Sequence, residues 1–330
     1  MTQVAVGTTE PFPELIGLSR QMAEVRQLML GACHSDANVL LIGETGSGKD
    51  HVASIVHRHS PCQRGEFVKV NCATLGPELA ESALFGHCRG AFTGAIRDKI
   101  GYFKEADGGT LFLNDIQTLS LDVQAKLLTA IEDKQVIPVG NTTVRSMDVR
   151  IIAASNENLQ ELMARGQLRK DLYFRLAEIR IELPSLRERT EDIPLFIAHF
   201  LQEFTPAGNR HITLDRETQA ALLAYHWPGN VRELRNVLRR IATYCAQQNM
   251  LVVRFACARR YMDWLNGQTE TALTELSMSY KDQERAAKQQ IISRTLRTCQ
   301  WDLVLAAKVL QISLPELRRK IRVFRLRQAS

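Results

Sequence analysis

The stretch Asn38-Val-Leu-Leu-Ile-Gly-Glu-Thr-Gly-Ser-Gly-Lys-Asp50 decides the fold. Its opening apolar run has the length of a strand. Gly43 to Lys49 then follow the spacing G-x-x-x-x-G-K and lead into a predicted helix. A strand turning through such a loop into a helix N-terminus aims backbone amides, and the positive end of the helix, at phosphate. The glycines allow the tight loop and Lys49 adds a cation. Gly43, Glu44, Thr45, Gly46, Ser47, Gly48, Lys49 and Asp50 are therefore the candidate ATP-binding residues. Asp50 stands where a general phosphate-binding loop has Ser or Thr for the magnesium shell.

Outward from this motif, short apolar runs alternate with helical patterns. Phe67-Val-Lys-Val70, Leu111-Phe-Leu113, Arg150-Ile-Ile-Ala-Ala154 and Ile179-Arg-Ile-Glu-Leu183 read as further strands, and Asp122 to Glu132 as one of the helices between them. The alternation predicts an α/β fold, a parallel sheet with helices on both faces. Between Val136 and Arg150 the sequence predicts a hairpin with Gly140-Asn141 as its turn. After Pro184 the strand signals stop, and segments from Asp192, Asp215 and Asn230 read as three amphipathic helices of a small subdomain.

Gly108-Gly-Thr-Leu-Phe-Leu-Asn-Asp-Ile116 ends a strand where ATPases of this kind place Asp-Glu. There the Asp orders magnesium and the Glu polarises the attacking water. Asn114 and Asp115 occupy those places here, as the candidate catalytic pair and Mg2+ ligands. An amide oxygen is a poorer partner for a hard dication than a carboxylate. Asp115 keeps the charge of Glu but retracts it by one methylene, so hydrolysis about tenfold to hundredfold slower than with Asp-Glu is expected.

Glu81-Ser-Ala-Leu-Phe-Gly-His-Cys-Arg-Gly-Ala-Phe-Thr-Gly-Ala95 contains GAFTGA from Gly90 to Ala95. A Phe set between glycines suits a mobile tip that presents an aromatic ring to a partner. The loop and its flank resemble the signature of the sigma-54-dependent AAA+ transcription activators, the NtrC-like bacterial enhancer-binding proteins. Several other motifs resemble the same family, in the same order. Val70-Asn71-Cys72-Ala73 is similar to the segment whose Asn restrains the catalytic acid, which implies that role for Asn71. Ser155-Asn156 is similar to sensor I, making Asn156 a reader of the γ-phosphate. Gln167-Leu-Arg-Lys-Asp-Leu-Tyr-Phe-Arg-Leu176 resembles the arginine-finger segment, with Arg169 and Arg175 reaching a neighbouring subunit's nucleotide. Leu168 and Lys170 depart from that pattern. Leu183-Pro-Ser-Leu-Arg-Glu-Arg-Thr-Glu-Asp-Ile193 and Trp227-Pro-Gly-Asn-Val-Arg-Glu-Leu-Arg-Asn236 complete the match. Asn230 with Glu233 predicts a capping-box-like helix start that sets Arg232, the sensor II residue, in the first turn.

Charge is unevenly spread over the 330 residues, which carry a formal net charge of +6. Residues 281–330 hold 12 Lys and Arg against 4 Asp and Glu, while the first 280 hold 30 basic and 32 acidic groups. Such a tail suits a polyanion. Trp301 to Arg325 reads as a helix-turn-helix. Leu303, Ala306, Ala307 and Leu310 form one stripe, and Ser313-Leu-Pro-Glu316 is a capping box before a second stripe of Leu314, Leu317, Ile321 and Phe324. Arg318, Arg319, Lys320, Arg322 and Arg325 fall mainly on the other faces, as candidate DNA contacts. The tail resembles the Fis-type module of the family, with Gln311 where a turn Gly is common. A preceding Lys281–Arg297 helix, with Ile291, Ile292 and Leu296, is a candidate dimer contact.

The domains expected are the AAA+ α/β subdomain over 14–185, a helical lid over 186–250, a linker over 251–280 and an all-α DNA-binding domain over 281–330. Seven cysteines without a CxxC pair fit a reducing cytosol. His57, His59 and Cys62 lack the second ligand pair of a zinc site. No signal peptide and no membrane-length apolar run is present, so a cytoplasmic protein is expected. The resemblance implies an ATPase that binds upstream DNA, assembles with itself or a paralogue into a hexameric ring and drives Phe92 and Thr93 against sigma-54 to remodel closed RNA polymerase. The alternative is an ATP-binding, weakly or non-hydrolysing DNA-binding partner in a mixed ring, with Asn114-Asp115 as its ground. The catalytic body begins within about the first fifteen residues, leaving no room for a receiver domain. Control by a trans-acting regulator is therefore expected, in a layout similar to the phage-shock activator and the Hrp regulators of type III secretion.

Overall fold

The computed structural model describes residues 11–205, 212–248, 250–258, 261–262, 292, 295–296, 303–310 and 312–323, and the chain divides into two compact units after Ala258. In the first unit the strands are β1 (Val39–Ile42), β2 (Phe67–Asn71), β3 (Thr110–Asn114), β4 (Gln135–Val136), β5 (Arg145–Ser146), β6 (Arg150–Ser155) and β7 (Ile179–Glu182). Five of them form one parallel sheet in the order β2-β3-β6-β1-β7, as the apolar runs predict. Side chains alternate across it, and both faces are covered. Leu40, Leu111, Leu113, Ile151 and Ala153 pack on one side against Leu84 of α3 (Pro77–Phe85), Leu127 of α5 (Leu121–Asp133) and Leu172 of α7 (Lys170–Leu176). Val39, Leu41, Phe112, Ile152, Ala154 and Ile181 face the other way, onto α1 (Arg20–Cys33) and α2 (Lys49–Arg58). Short helices α4 (Tyr102–Glu105) and α6 (Leu159–Ala164) join the first side, burying Phe103, Leu159 and Leu162 in its core.

Register brings the C-terminal strand ends level. Asn71 pairs with Asn114, Asn114 with Ala154, and Ile42 with both Ser155 and Glu182. This edge is where open α/β sheets collect ligands, because the loops that leave it diverge. The predicted hairpin forms between β4 and β5, but Gly140 and Asn141 do not make a two-residue turn. They close a four-residue turn inside a longer connection, with the Asn141 amide donating to the Pro138 carbonyl and Gly140 at φ +78°.

The lid comprises α8 (Ile193–Phe204), β8 (Thr213–Leu214), α9 (Arg216–Ala224), α10 (Asn230–Gln248), β9 (Val252–Val253) and α11 (Phe255–Ala258). Leu234, Val237, Leu238, Ile241 and Cys245 form the buried stripe of α10, at the three- and four-residue spacing of a helix packed on one side. Asp215 caps α9, its carboxylate accepting the Thr218 amide at 2.8 Å. Residues 251–258, assigned to a linker by their sequence, instead carry β9 and α11, with β9 paired parallel to β8.

In the second unit α12 (Leu303–Val309) and α13 (Leu314–Val323) bury Ala306, Ala307 and Leu317 with Ile292 and Leu296. Ser313 Oγ accepts the Glu316 amide at 3.4 Å, and the Glu316 carboxylate pairs forward with Lys320 rather than back. Arg318, Arg319, Lys320 and Arg322 lie on α13. The stretch 267–279, Trp301, Gln311, Phe324, Arg325 and all of 281–297 except Ile292, Thr295 and Leu296 lie outside the described residues. No described helix is long and apolar enough to cross a membrane.

Candidate functional site

Backbone geometry forms the phosphate loop. Gly46 and Gly48 have φ of +80° and +113°, and Gly48 caps α2, whose first residue is Lys49. The Lys49 ammonium donates to the carbonyls of Gly43 at 2.6 Å and Glu44 at 3.1 Å. Burial pushes the Lys49 amine down, and the nearby Asp115 and Asp50 carboxylates partly offset that. A cavity of about 420 Å³ opens beside it, bordered by Gly46, Gly48, Lys49 and Asp50 on one side and by Asn71, Asn114, Asp115 and Arg232 on the other. The candidate phosphate, acid and sensor II residues therefore share one space.

At the end of β3, Asn114 donates its amide to Asp115 Oδ2 at 3.2 Å, while its own Oδ1 is buried without a partner. Asp115 adopts φ +56°, a left-handed conformation that β-branched residues avoid and Asp tolerates. The Asn71 side chain accepts the Ala73 amide at 3.0 Å, capping its own turn. Its described bond is thus local and does not hold Asp115. Asn156 bridges two loops, donating to Thr45 Oγ1 at 3.1 Å and accepting from Gln117 at 2.6 Å. Beside them the Cys72 thiol is pushed up to about 12 by burial, and so stays protonated.

The lid meets this loop through residues that the motifs did not assign. Asn230 does not cap α10. It is fully buried at φ +51°, and its Oδ1 accepts the Leu186 amide at 2.7 Å. Its amide donates at 3.1 Å to both Glu44 Oε2 and the Thr45 carbonyl. Glu233 caps one residue earlier than expected, accepting the Gly229 amide at 2.8 Å. The local Asn-x-x-Glu pattern was overridden because the lid seam offered Asn230 three partners. Arg187 grips Glu44 with both of its terminal nitrogens, and with Asn230 it holds the Glu44 carboxyl below the usual carboxylate range. Arg189, buried in the same segment, donates to the Ser47 carbonyl at 3.1 Å. Neither Arg could be linked to the loop from sequence, since each lies more than a hundred residues from its partner.

Arg169 and Arg175 do not border the cavity. Arg169 precedes α7 and pairs with Asp171 at 2.7 Å, and Arg175 pairs with Glu178 at 3.1 Å. In the GAFTGA loop Gly90 and Gly94 have φ of +83° and +105°. The Gly90 amide closes the loop onto the Ala95 carbonyl at 2.8 Å. Phe92 is 38% exposed, its ring edge-on to His87 at 5.0 Å, and Thr93 is exposed. The β4–β5 connection braces the loop's base, with the Cys88 amide donating to the Val139 carbonyl. His57 and His59 turn to separate partners, Thr110 Oγ1 and Glu14.

Residues 15–182 match the sigma-54 interaction domain family, and residues 187–262 match the AAA+ ATPase lid domain. The DNA-binding transcriptional regulator NtrC of Azospirillum brasilense is 36% identical over 330 residues, covering 93% of this chain and 69% of that protein. The regulator of the same name from Escherichia coli (strain K12) is 44% identical over 243 residues, 73% of this chain and 52% of that one, so the chain spans about half of its length. NtrX from Brucella abortus in complex with ATP superimposes with a TM-score of 0.66 at 28% identity, over 95% of this chain and 69% of that one. The nucleotide cavity, the lid closing on it and the GAFTGA loop thus sit within matched segments, and the chain belongs to the sigma-54-dependent AAA+ transcription activators, an ATP-binding ATPase family of transcription regulators.

Proposed function

We propose that the chain is an ATP-driven activator that remodels closed sigma-54 RNA polymerase through Phe92 and Thr93. The observation that carries this reading is the partly exposed Phe92 on a loop flanked by open glycines, in the same compact unit as the nucleotide cavity. In this reading Lys49 and the amides of residues 46–50 hold the phosphates, and Asn156 and Arg232 sense the terminal one. Arg169 and Arg175 lie outside their own cavity, as fingers that serve a neighbouring protomer must. Protomers would then form a hexameric ring with nucleotide between neighbours. Residues 281–330 would address the ring to upstream DNA through Arg318, Arg319, Lys320, Arg322 and Arg325.

The site fits Mg2+ on one internal ground: Asn114 Oδ1 is a buried oxygen with no protein partner, beside the Asp115 carboxylate. Asn114 and Asp115 would hold the ion, which neutralises phosphate charge when bound. Asp115 also polarises the attacking water, from one methylene further back than a Glu would.

ATP turnover by the full chain, beside the Asn114→Asp/Asp115→Glu variant, tests the reading. The parent should hydrolyse ATP, and the variant should be about tenfold to hundredfold faster. Turnover found only in the variant would instead assign the parent to a mixed ring as a nucleotide-binding partner. Binding of sigma-54 to the parent with ADP and aluminium fluoride should be lost on Phe92→Ala. Failure of the parent to bind would overturn the sigma-54 role of the loop.

A further inference from the structure

The seam between the phosphate loop and the lid is built unlike the rest of the surface. At Gly46 an added Cβ would lie 2.3 Å from the Gly229 carbonyl, so the two backbones are in direct contact. Next to this contact Asn230 is fully buried, with all three described side-chain hydrogen bonds crossing between segments. A buried amide that loses its partners bears the full cost of desolvation, so these bonds favour being made together or not at all.

We propose that Glu44, Arg187 and Asn230 form a latch that makes lid closure and the orientation of the phosphate loop a single event, with Glu44 and Asn230 as positioning residues for the nucleotide. The peptide bond supplies the mechanism. It is planar and trans, so its carbonyl and N–H point in opposite directions. Drawing the Thr45 carbonyl to Asn230 turns the Gly46 N–H the other way, on a residue that borders the nucleotide cavity. The Glu44 carboxylate is the second anchor. It takes the other bond from the Asn230 amide and the two-pronged grip of Arg187, which lies in the segment leading into the lid. Leu186, next to Arg187, donates its amide to Asn230 Oδ1 and closes the circuit.

Nucleotide that needs the loop amides therefore favours the latched lid. By reciprocity, a lid held latched raises nucleotide affinity by the same factor. The latch rests on nucleotide binding at the loop and is independent of any contact with sigma-54.

The test uses the full chain, with ADP and a non-hydrolysable ATP analogue as probes. Asn230→Asp keeps the acceptor for Leu186 but sets a carboxylate against Glu44 and the Thr45 carbonyl. Equilibrium dialysis should show an affinity loss of about tenfold or more. Adding Glu44→Gln supplies a donor to the new carboxylate and keeps one acceptor for Arg187, and should recover part of the loss, because the Thr45 carbonyl still lacks its donor. Hydrogen exchange across 186–192 should slow on nucleotide binding in the parent and in the double variant, but not in the single one. Parent-like affinity in Asn230→Asp would overturn the latch. So would a double variant no tighter than the single one with both melting like the parent. Should Asn230→Asp not fold, Arg187→Gln serves instead. Its nucleotide-dependent slowing at 186–192 should fall by more than half, and an unchanged response would sink the proposal.

Discussion

Two glycine-rich loops in this chain share left-handed backbone for different reasons. In the phosphate loop Gly46 is hemmed in, with a carbonyl and the Arg232 side chain where a Cβ would go. Gly43 is similarly confined by the Leu183 carbonyl and Ser47. In the GAFTGA loop nothing lies within 4 Å of an added Cβ at Gly90 or Gly94. At Gly43 and Gly46 the first loop is shaped by what presses on it, although Gly48 at φ +113° lies open. The second is shaped mainly by its own turn bonds and by the brace at its base. A loop that must hold phosphate gains from being fixed from outside. One that must engage a partner gains from being free to reorient.

The sharpest way to break that contrast is Gly46→Ala. The substitution adds left-handed strain to a backbone clash that only displacement of the lid can relieve. A stability loss of about 3–5 kcal/mol is expected, lowering the melting temperature by about 10 °C. Nucleotide binding should be lost as well. Calorimetry and equilibrium dialysis on one preparation measure both, and a parent-like affinity would show that the lid contact is incidental.

The confinement of the first loop also sets its response to pH. Burial lowers the Lys49 amine, so raising pH into the alkaline window below the usual lysine range discharges it before a free lysine would lose its proton. Nucleotide affinity should fall through that window, because the cation proposed to face the phosphates is lost. The unliganded fold should move the other way. With its folded value below the unfolded one, Lys49 binds fewer protons in the native state, and stability gains as pH rises. Lys49→Arg should remove the alkaline fall in affinity across the same range. A fall that persists in that variant would assign the titration to another group.

Much of this was legible locally. The apolar run before Gly43, the loop and the start of α2 follow from residues within one stretch. What sequence could not give is the seam. Arg187 and Glu44 are 143 residues apart, and Asn230 and Glu44 186 apart, and nothing in either neighbourhood names the other. At Asn230 the local grammar misled. Asn followed three residues later by Glu is a helix start, yet tertiary bonds took the side chain and left Glu233 to cap from Gly229. The extension of the lid past residue 250 was hidden for a related reason. A two-residue strand such as Val252–Val253 has no periodicity of its own and forms because β8 lies beside it.

The smallest effect belongs to the free loop. Gly94→Ala places a Cβ in open space, so only the backbone conformation at φ +105° resists it. Such strain costs about 1–3 kcal/mol where the surroundings enforce it, and an unconfined loop relieves part of that by relaxing. The melting temperature should therefore fall by only about 2–4 °C, with nucleotide affinity unchanged. Because relaxation redirects the tip, sigma-54 binding in the presence of ADP and aluminium fluoride should weaken while ATP turnover persists. The two glycine loops would then separate cleanly: substitution in one removes the nucleotide, and in the other it spares the nucleotide and redirects the aromatic tip. A drop in stability at Gly94 as large as that at Gly46 would mean the second loop is held by its surroundings after all.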